Sequence, residues 1–303
     1  MANIWIPIIM SLVAGLSTGV GGLIGVYKRL NMKQFDTIIG FAAGVMIAVA
    51  TLGLIDEAIV LVESYNIYLI ILMVVGGVTA GILFLLLLDR IIPHIHTMGD
   101  KEDCKGKYDE QICVRECKCP EKDKWFKCPY LEDGKCKIQG DCFCPRKLEF
   151  QKRMKYSGIL LAIGLTLHNA PEGIAVGVGF LAEPTLFLGF SITLAISLHN
   201  IPEGIAVAMP LLQGNYSKKK AFSISLLSGI AEPISCLIAV IFLQNVSSLF
   251  LSFFLAFAGG AMIYVTSDEL IPESHSHGFE HEASIGLLAG IVLMLILILG
   301  FGV

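Results

Sequence analysis

Leu167-His-Asn-Ala-Pro-Glu-Gly-Ile-Ala-Val176 and Leu198-His-Asn-Ile-Pro-Glu-Gly-Ile-Ala-Val207 are near-copies of one motif, each in the middle of a long apolar stretch. His, Asn and Glu are expensive at that depth in lipid, and such residues persist there because they bind something that sits in or crosses the membrane. The surrounding sequence fixes the setting. The chain is 55% hydrophobic, with a mean hydropathy of +0.73. Eight apolar spans are expected, at 4–26, 36–56, 67–89, 157–180, 185–210, 220–243, 248–271 and 284–302. Each is long enough to cross a hydrocarbon core of about 30 Å as a helix. The fold class is therefore an all-α integral membrane protein with eight transmembrane helices.

All 22 Lys and Arg residues fall in 28–33, 90–155 and 218–220, the loops after spans one, three and five. By the positive-inside rule those loops face the cytoplasm, which puts the N- and C-termini outside. The loop at 272–283 then also faces inward, although it holds no Lys or Arg. The alternate loops carry Asp56, Glu57, Glu63 and Glu183 and no basic residue. No basic region precedes span one, so a retained helix is expected rather than a cleaved signal peptide. The net charge of −4 reflects segregation of charge by side and implies no nucleic-acid partner. The partner is the lipid bilayer, with a multi-pass location in the plasma membrane.

Phe41-Ala-Ala-Gly-Val-Met-Ile47 in span two resembles Phe257-Ala-Gly-Gly-Ala-Met-Ile263 in span seven. A weaker echo aligns Gly15-Leu16-Ser17-Thr18 with Gly229-Ile230-Ala231-Glu232. The copies in spans two and seven cross in opposite directions, the mark of an inverted repeat relating helices 1–3 to helices 6–8 around a central helix 4/5 pair. Residues 1–96 hold helices 1–3, residues 97–156 form a cytoplasmic cysteine-rich insert, and residues 157–303 hold helices 4–8.

On a helix, His168 and Glu172 share a face, and Asn169 lies one turn from Glu172. Pro171 cannot donate to the Leu167 carbonyl, which must find another partner in protein, water or an ion. Span five repeats this with His199, Asn200, Pro202 and Glu203; span six adds Glu232 and span two Met46. Two imidazoles, three carboxylates, two amide oxygens and a thioether form a mixed set suited to Zn²⁺, and to Fe²⁺, Co²⁺, Mn²⁺ or Cd²⁺, rather than Mg²⁺ or Ca²⁺. Three buried carboxylates without Lys or Arg need neutralising, which one or two divalent cations would do, and carboxylates shared by two helices would bridge a pair. A helix-packing role and a proton relay through His168 and Glu172 are the alternative readings.

These motifs resemble the ZIP (Zrt-, Irt-like protein) family of divalent metal transporters, and most closely its ZupT/GufA-like branch. The resemblance covers all eight spans and extends to Ser228-Gly-Ile-Ala-Glu-Pro233, Asp89-Arg-Ile-Ile-Pro-His-Ile-His96 and Glu269-Leu-Ile-Pro-Glu-Ser274. It implies a binuclear metal centre. One metal would take His168, Glu172 and Glu203, with Met46 and His199; the other would take Asn169, Glu172, Asn200, Glu203 and Glu232. It also implies a homodimer, and an elevator in which spans one, four, five and six slide against the rest. Leu54-Ile-Asp-Glu-Ala58 departs from the Leu-Pro-Glu-Ala often found in the family, and Gly53 stands where relatives carry a polar residue, so the outer entrance is the part least specified.

Asp89, His94 and His96 follow span three; Asp268, Glu269, Glu273, His275 and His277 follow span seven. Both groups are expected at the inner face, as an exit site for metal or as a solvated polar loop. The insert holds Cys104, Cys113, Cys117, Cys119, Cys128, Cys136, Cys142 and Cys144. In a reducing cytoplasm thiolates favour metal over disulfides, with zinc or an iron–sulfur cluster as the ligand. Cys236 reads as a buried small apolar residue.

The reading that follows is uptake of divalent transition metal, Zn²⁺ first, and not an enzyme. An intramembrane metallohydrolase is a second reading, but His281-Glu282 lacks the following His of the zinc-protease pattern. A redox membrane protein built on the insert is a third. No phosphate-binding loop for nucleotide-driven export is present in the sequence.

Overall fold

The computed structural model describes residues 4–28, 30–91, 145–182, 186–276 and 278–301, with four two-residue strands between them at Glu116–Cys117, Phe126–Lys127, Leu131–Glu132 and Lys135–Cys136. The helices are α1 (Trp5–Tyr27), α2 (Met32–Ala48), α3 (Asp56–Val60), α4 (Ile67–Ile91), α5 (Pro145–Ala182), α6 (Phe187–Gln213), α7 (Lys218–Ser228), α8 (Ala231–Leu243), α9 (Ser248–Val265), α10 (Ile271–Ser274) and α11 (Glu280–Phe301). Among the described residues, 7 helices are long and apolar enough to cross a membrane, and they coincide with seven of the expected spans. The remaining expected span lies inside α5, which begins at Pro145 and so takes in the end of the stretch assigned to the insert.

Local sequence explains the element ends. Asn31 and Gln34 form a reciprocal capping box at the start of α2, which satisfies two backbone donors at once. Ser217 caps α7 by accepting from the Lys220 amide. The expected sixth span is not one helix. It breaks between α7 and α8 at Gly229 and Ile230. Pro233 has no amide hydrogen to give the Gly229 carbonyl, and glycine at that point relaxes the backbone. By contrast, α5 and α6 run through Pro171 and Pro202 without a break.

Two packed groups result. In one, α1 lies on α6, α8 lies on α5, and α5 lies on α6; in the other, α2 lies on α11 and α4 on α9. The groups meet where α5 touches α9 and α2 touches α6. Exchanging α1 with α7–α8, α2 with α9, α4 with α11 and α5 with α6 maps each of these pairings onto another. The inverted repeat is thus present in the packing. It extends to a detail with no periodicity signal: a π-helical turn follows each copy of the span-two/span-seven motif, at Val49–Ile55 and Thr266–Leu270. In these turns the Thr51 and Thr266 hydroxyls donate to the Ile47 and Met262 carbonyls at 2.6 and 2.7 Å.

Glycine permits the closest crossings, as in other membrane bundles. Gly15 and Gly229 face each other so tightly that a Cβ on either would run into the other's carbonyl oxygen. These are the two glycines that the weaker sequence echo aligns. At one end of the molecule Lys155 stacks over Tyr216 at 5.4 Å and Lys218 over Tyr27 at 4.7 Å. The end of α1, α5 at Lys155 and the loop joining α6 to α7 therefore share one side.

Candidate metal centre

The two motifs face each other across the α5–α6 contact. His168 Nε2 lies 3.2 Å from Glu203 Oε1, and His199 Nε2 lies 3.0 Å from Glu172 Oε1. Each helix thus supplies the carboxylate that the other helix's imidazole meets. His168, Glu172 and Glu203 each place one ligand atom within 4.8 Å of the others, and all three are buried. Among the described residues no Lys or Arg joins Glu172, Glu203 and Glu232 in the buried interior.

The asparagines are oriented by backbone. Asn169 Nδ2 donates to the Ser228 carbonyl at 3.0 Å, at the break between α7 and α8. Asn200 Nδ2 donates to the Ala14 carbonyl at 2.9 Å and to Glu232 Oε1 at 2.6 Å. With the amide nitrogens so engaged, Asn169 Oδ1 and Asn200 Oδ1 are left without hydrogen-bond partners, as are Glu172 Oε2, Glu203 Oε2 and Glu232 Oε2. Five buried acceptors without donors would be a large penalty in a finished core. A divalent cation would satisfy them together, since each is a hard oxygen ligand and what each lacks is a positive partner.

Gly173 and Gly204 complete the arrangement. A Cβ on Gly173 would strike the Glu232 carbonyl, and one on Gly204 the Thr18 carbonyl. They bring α8 and α1 against the residues that follow Glu172 and Glu203. Under the repeat exchange Asn169 on Ser228 maps onto Asn200 on Ala14, and Gly173 on Glu232 maps onto Gly204 on Thr18.

Met46 is fully buried on α2, and its sulfur accepts from the Thr266 hydroxyl at 3.7 Å. Glu269, grouped by sequence with the inner-face residues, comes to the centre itself: its Oε2 is 3.9 Å from His168 Nδ1. It sits on the π-turn that follows α9, a local widening that the apolar pattern does not announce. Asp268 and Glu273 are half-buried on the same stretch. His275 Nδ1 is engaged locally, at 2.9 Å from the Ile271 carbonyl and from Ser274 Oγ. Asp89 ends α4. His94, His96 and His277 lie outside the described residues, as do Cys104, Cys113, Cys119, Cys128, Cys142 and Cys144; Cys117 and Cys136 fall in the short strands. Cys236 is buried, as expected.

Comparison with known proteins identifies the family. The family profile described as ZIP Zinc transporter matches residues 2–298. The chain is 36% identical to the zinc transporter ZupT of Chlorobium chlorochromatii, with 99% of this chain and 98% of that protein aligned. It is 35% identical to the zinc transporter GufA of Myxococcus xanthus, over 97% of this chain and 98% of that protein. A ZupT of Clostridium perfringens is 33% identical, over 99% and 98% respectively. With the family profile matched from end to end around the paired His-Asn-x-Pro-Glu-Gly helices, the chain belongs to the ZIP family of multi-pass membrane transporters, which are not enzymes.

Proposed function

We propose that this protein carries Zn²⁺, and with it Fe²⁺, Mn²⁺, Co²⁺ or Cd²⁺, into the cytoplasm through a binuclear site between α5 and α6. The observation that supports it best is the set of five partnerless oxygens on Asn169, Glu172, Asn200, Glu203 and Glu232. One ion takes His168, Glu172, Glu203 and His199, with Met46 closing from α2; the second takes the asparagines, both shared glutamates and Glu232. Shared carboxylates hold two like-charged ions close, as bridging carboxylates do in two-metal sites. A site of Asn and Glu oxygens discriminates weakly among these metals and follows stability order and availability.

Direction follows from the membrane potential. An inside-negative potential of about 100 mV favours entry of a divalent ion by ~4.6 kcal/mol. With the basic end in the cytoplasm, all eight spans crossing and both termini outside the plasma membrane, the ion leaves past Glu269. The exit continues with Asp268, Glu273 and His275, and in sequence with His277 and with Asp89, His94 and His96 at the end of span three. The group of α1, α5, α6, α7 and α8 contains every proposed ligand of the centre except Met46 and acts as the sliding unit of an elevator. The α2, α4, α9 and α11 group is the scaffold of a homodimer. The eight cysteines of the insert bind metal on the cytoplasmic side, as a store or sensor.

The test is Zn²⁺ uptake into proteoliposomes under an imposed inside-negative potential, comparing the natural protein with Glu172→Ala/Glu203→Ala. Saturable uptake is expected only in the former; equal flux in both would remove the central site from the transport route.

A further inference from the structure

Thr18 is the image of Glu232 under the inverted repeat. The sequence echo aligns them, and the structure repeats the relation: Gly204 abuts the Thr18 carbonyl as Gly173 abuts that of Glu232. The Glu232 side chain reaches the Asn200 amide; the image of Asn200 is Asn169, whose Oδ1 is one of the partnerless oxygens.

The Thr18 hydroxyl is itself anomalous. Thr37, Thr51, Thr166, Thr193 and Thr266 each donate to the carbonyl four residues earlier, the ordinary resting place of a helical threonine. Thr18 is fully buried, and its Oγ1 has no hydrogen-bond partner. Its usual acceptor, the Ala14 carbonyl, already receives Ser17 Oγ at 2.6 Å and Asn200 Nδ2 at 2.9 Å. With the helical N–H of Thr18 itself, those donors leave that oxygen no lone pair for the hydroxyl. A buried orphan hydroxyl is unfavourable, and this one is created by the residue that fixes the metal-facing amide.

We propose that the Thr18 hydroxyl is a further binding group of the metal centre. Through one water it holds the ion of the Asn169, Asn200, Glu172, Glu203 and Glu232 set, at the coordination position opposite Glu232. A threonine is two bonds shorter than a glutamate, a gap that a single bridging water spans with little loss of enthalpy. It is also neutral, so the pseudo-symmetric position adds an oxygen ligand without a fourth carboxylate. The inference rests on the two-ion reading above.

The experiment is a Zn²⁺ titration of the full-length protein, read as the rise in melting temperature. The wild type is compared with Thr18→Val, Thr18→Ser and Glu172→Ala/Glu203→Ala. The double variant supplies the signal from zinc bound elsewhere in the chain. Thr18→Val keeps the β-branched shape and deletes the orphan hydroxyl, so its zinc-free form should melt no lower than wild type. Its midpoint for the central-site shift should move to a roughly tenfold higher Zn²⁺ concentration, as loss of a hydrogen bond to a charged centre implies. Thr18→Ser should titrate as wild type does. An unchanged midpoint in Thr18→Val, or an equal shift in Thr18→Ser, overturns the proposal and leaves Thr18 a packing residue. If Thr18→Val fails to fold, Thr18→Ala in its place is judged by the same two midpoints. A wild-type titration indistinguishable from the double carboxylate variant would instead remove the two-ion reading.

Discussion

Glu172 and Glu203 each meet the imidazole of the opposite helix, at 3.0 and 3.2 Å, so neither motif is a complete site alone. The polar residues of that centre could be read from the sequence because His, Asn and Glu have no other reason to sit in lipid. Their atomic roles could not. Which atom of Asn169 or Asn200 faces the ion depends on the Ser228 and Ala14 carbonyls, which belong to helices distant in sequence. Glu269 was likewise visible as a residue but not as a neighbour of His168. A residue-scale test follows. Asn200→Asp adds a fourth carboxylate and removes the donor to the Ala14 carbonyl. Its metal-free form is expected to lose roughly 3 kcal/mol, the scale of an uncompensated buried charge, and excess Zn²⁺ to restore most of it. Thermal unfolding in chelator and in zinc reads both quantities, and equal losses in the two conditions would place the new carboxylate away from any ion.

At the scale of elements, the apolar runs predicted where helices lie, and the described helices follow them closely. Their irregularities were less legible. The π-turns at Val49–Ile55 and Thr266–Leu270 leave no mark in the hydrophobic pattern, because every residue type in them also fits an ordinary helix. The break before α8 had a partial signal in Gly229 and Pro233, yet Pro171 and Pro202 leave α5 and α6 continuous; what differs is that the residue four before Pro233 is a glycine, Gly229, itself pressed against Gly15, where Leu167 and Leu198 precede Pro171 and Pro202. Gly229→Ala should therefore destabilise the protein by roughly 1–3 kcal/mol, as overpacking does. Gly76→Ala, where a Cβ meets nothing within 4 Å, should cause no loss and can gain from better helix propensity. Thermal unfolding of the two variants in detergent compares them directly, and equal stability would deny the close α1–α8 crossing its role.

At the scale of the molecule, one exchange operation relates α1 to α7–α8, α2 to α9, α4 to α11 and α5 to α6. The match of Phe41–Ile47 to Phe257–Ile263, and the echo of Gly15–Thr18 in Gly229–Glu232, made that operation readable before any coordinates. The assignment of each end to a side of the membrane rests on charge alone. A centre on the exchange axis naturally holds paired ligands. The most direct measurement is anomalous diffraction at the zinc absorption edge, from crystals of the full-length protein grown with Zn²⁺. Two peaks between α5 and α6, about 3.5–4 Å apart as in carboxylate-bridged pairs, with Glu172 and Glu203 between them, are the expected result. Zinc density confined to other parts of the protein, with none between the two His-Asn-x-Pro-Glu-Gly helices, would contradict it.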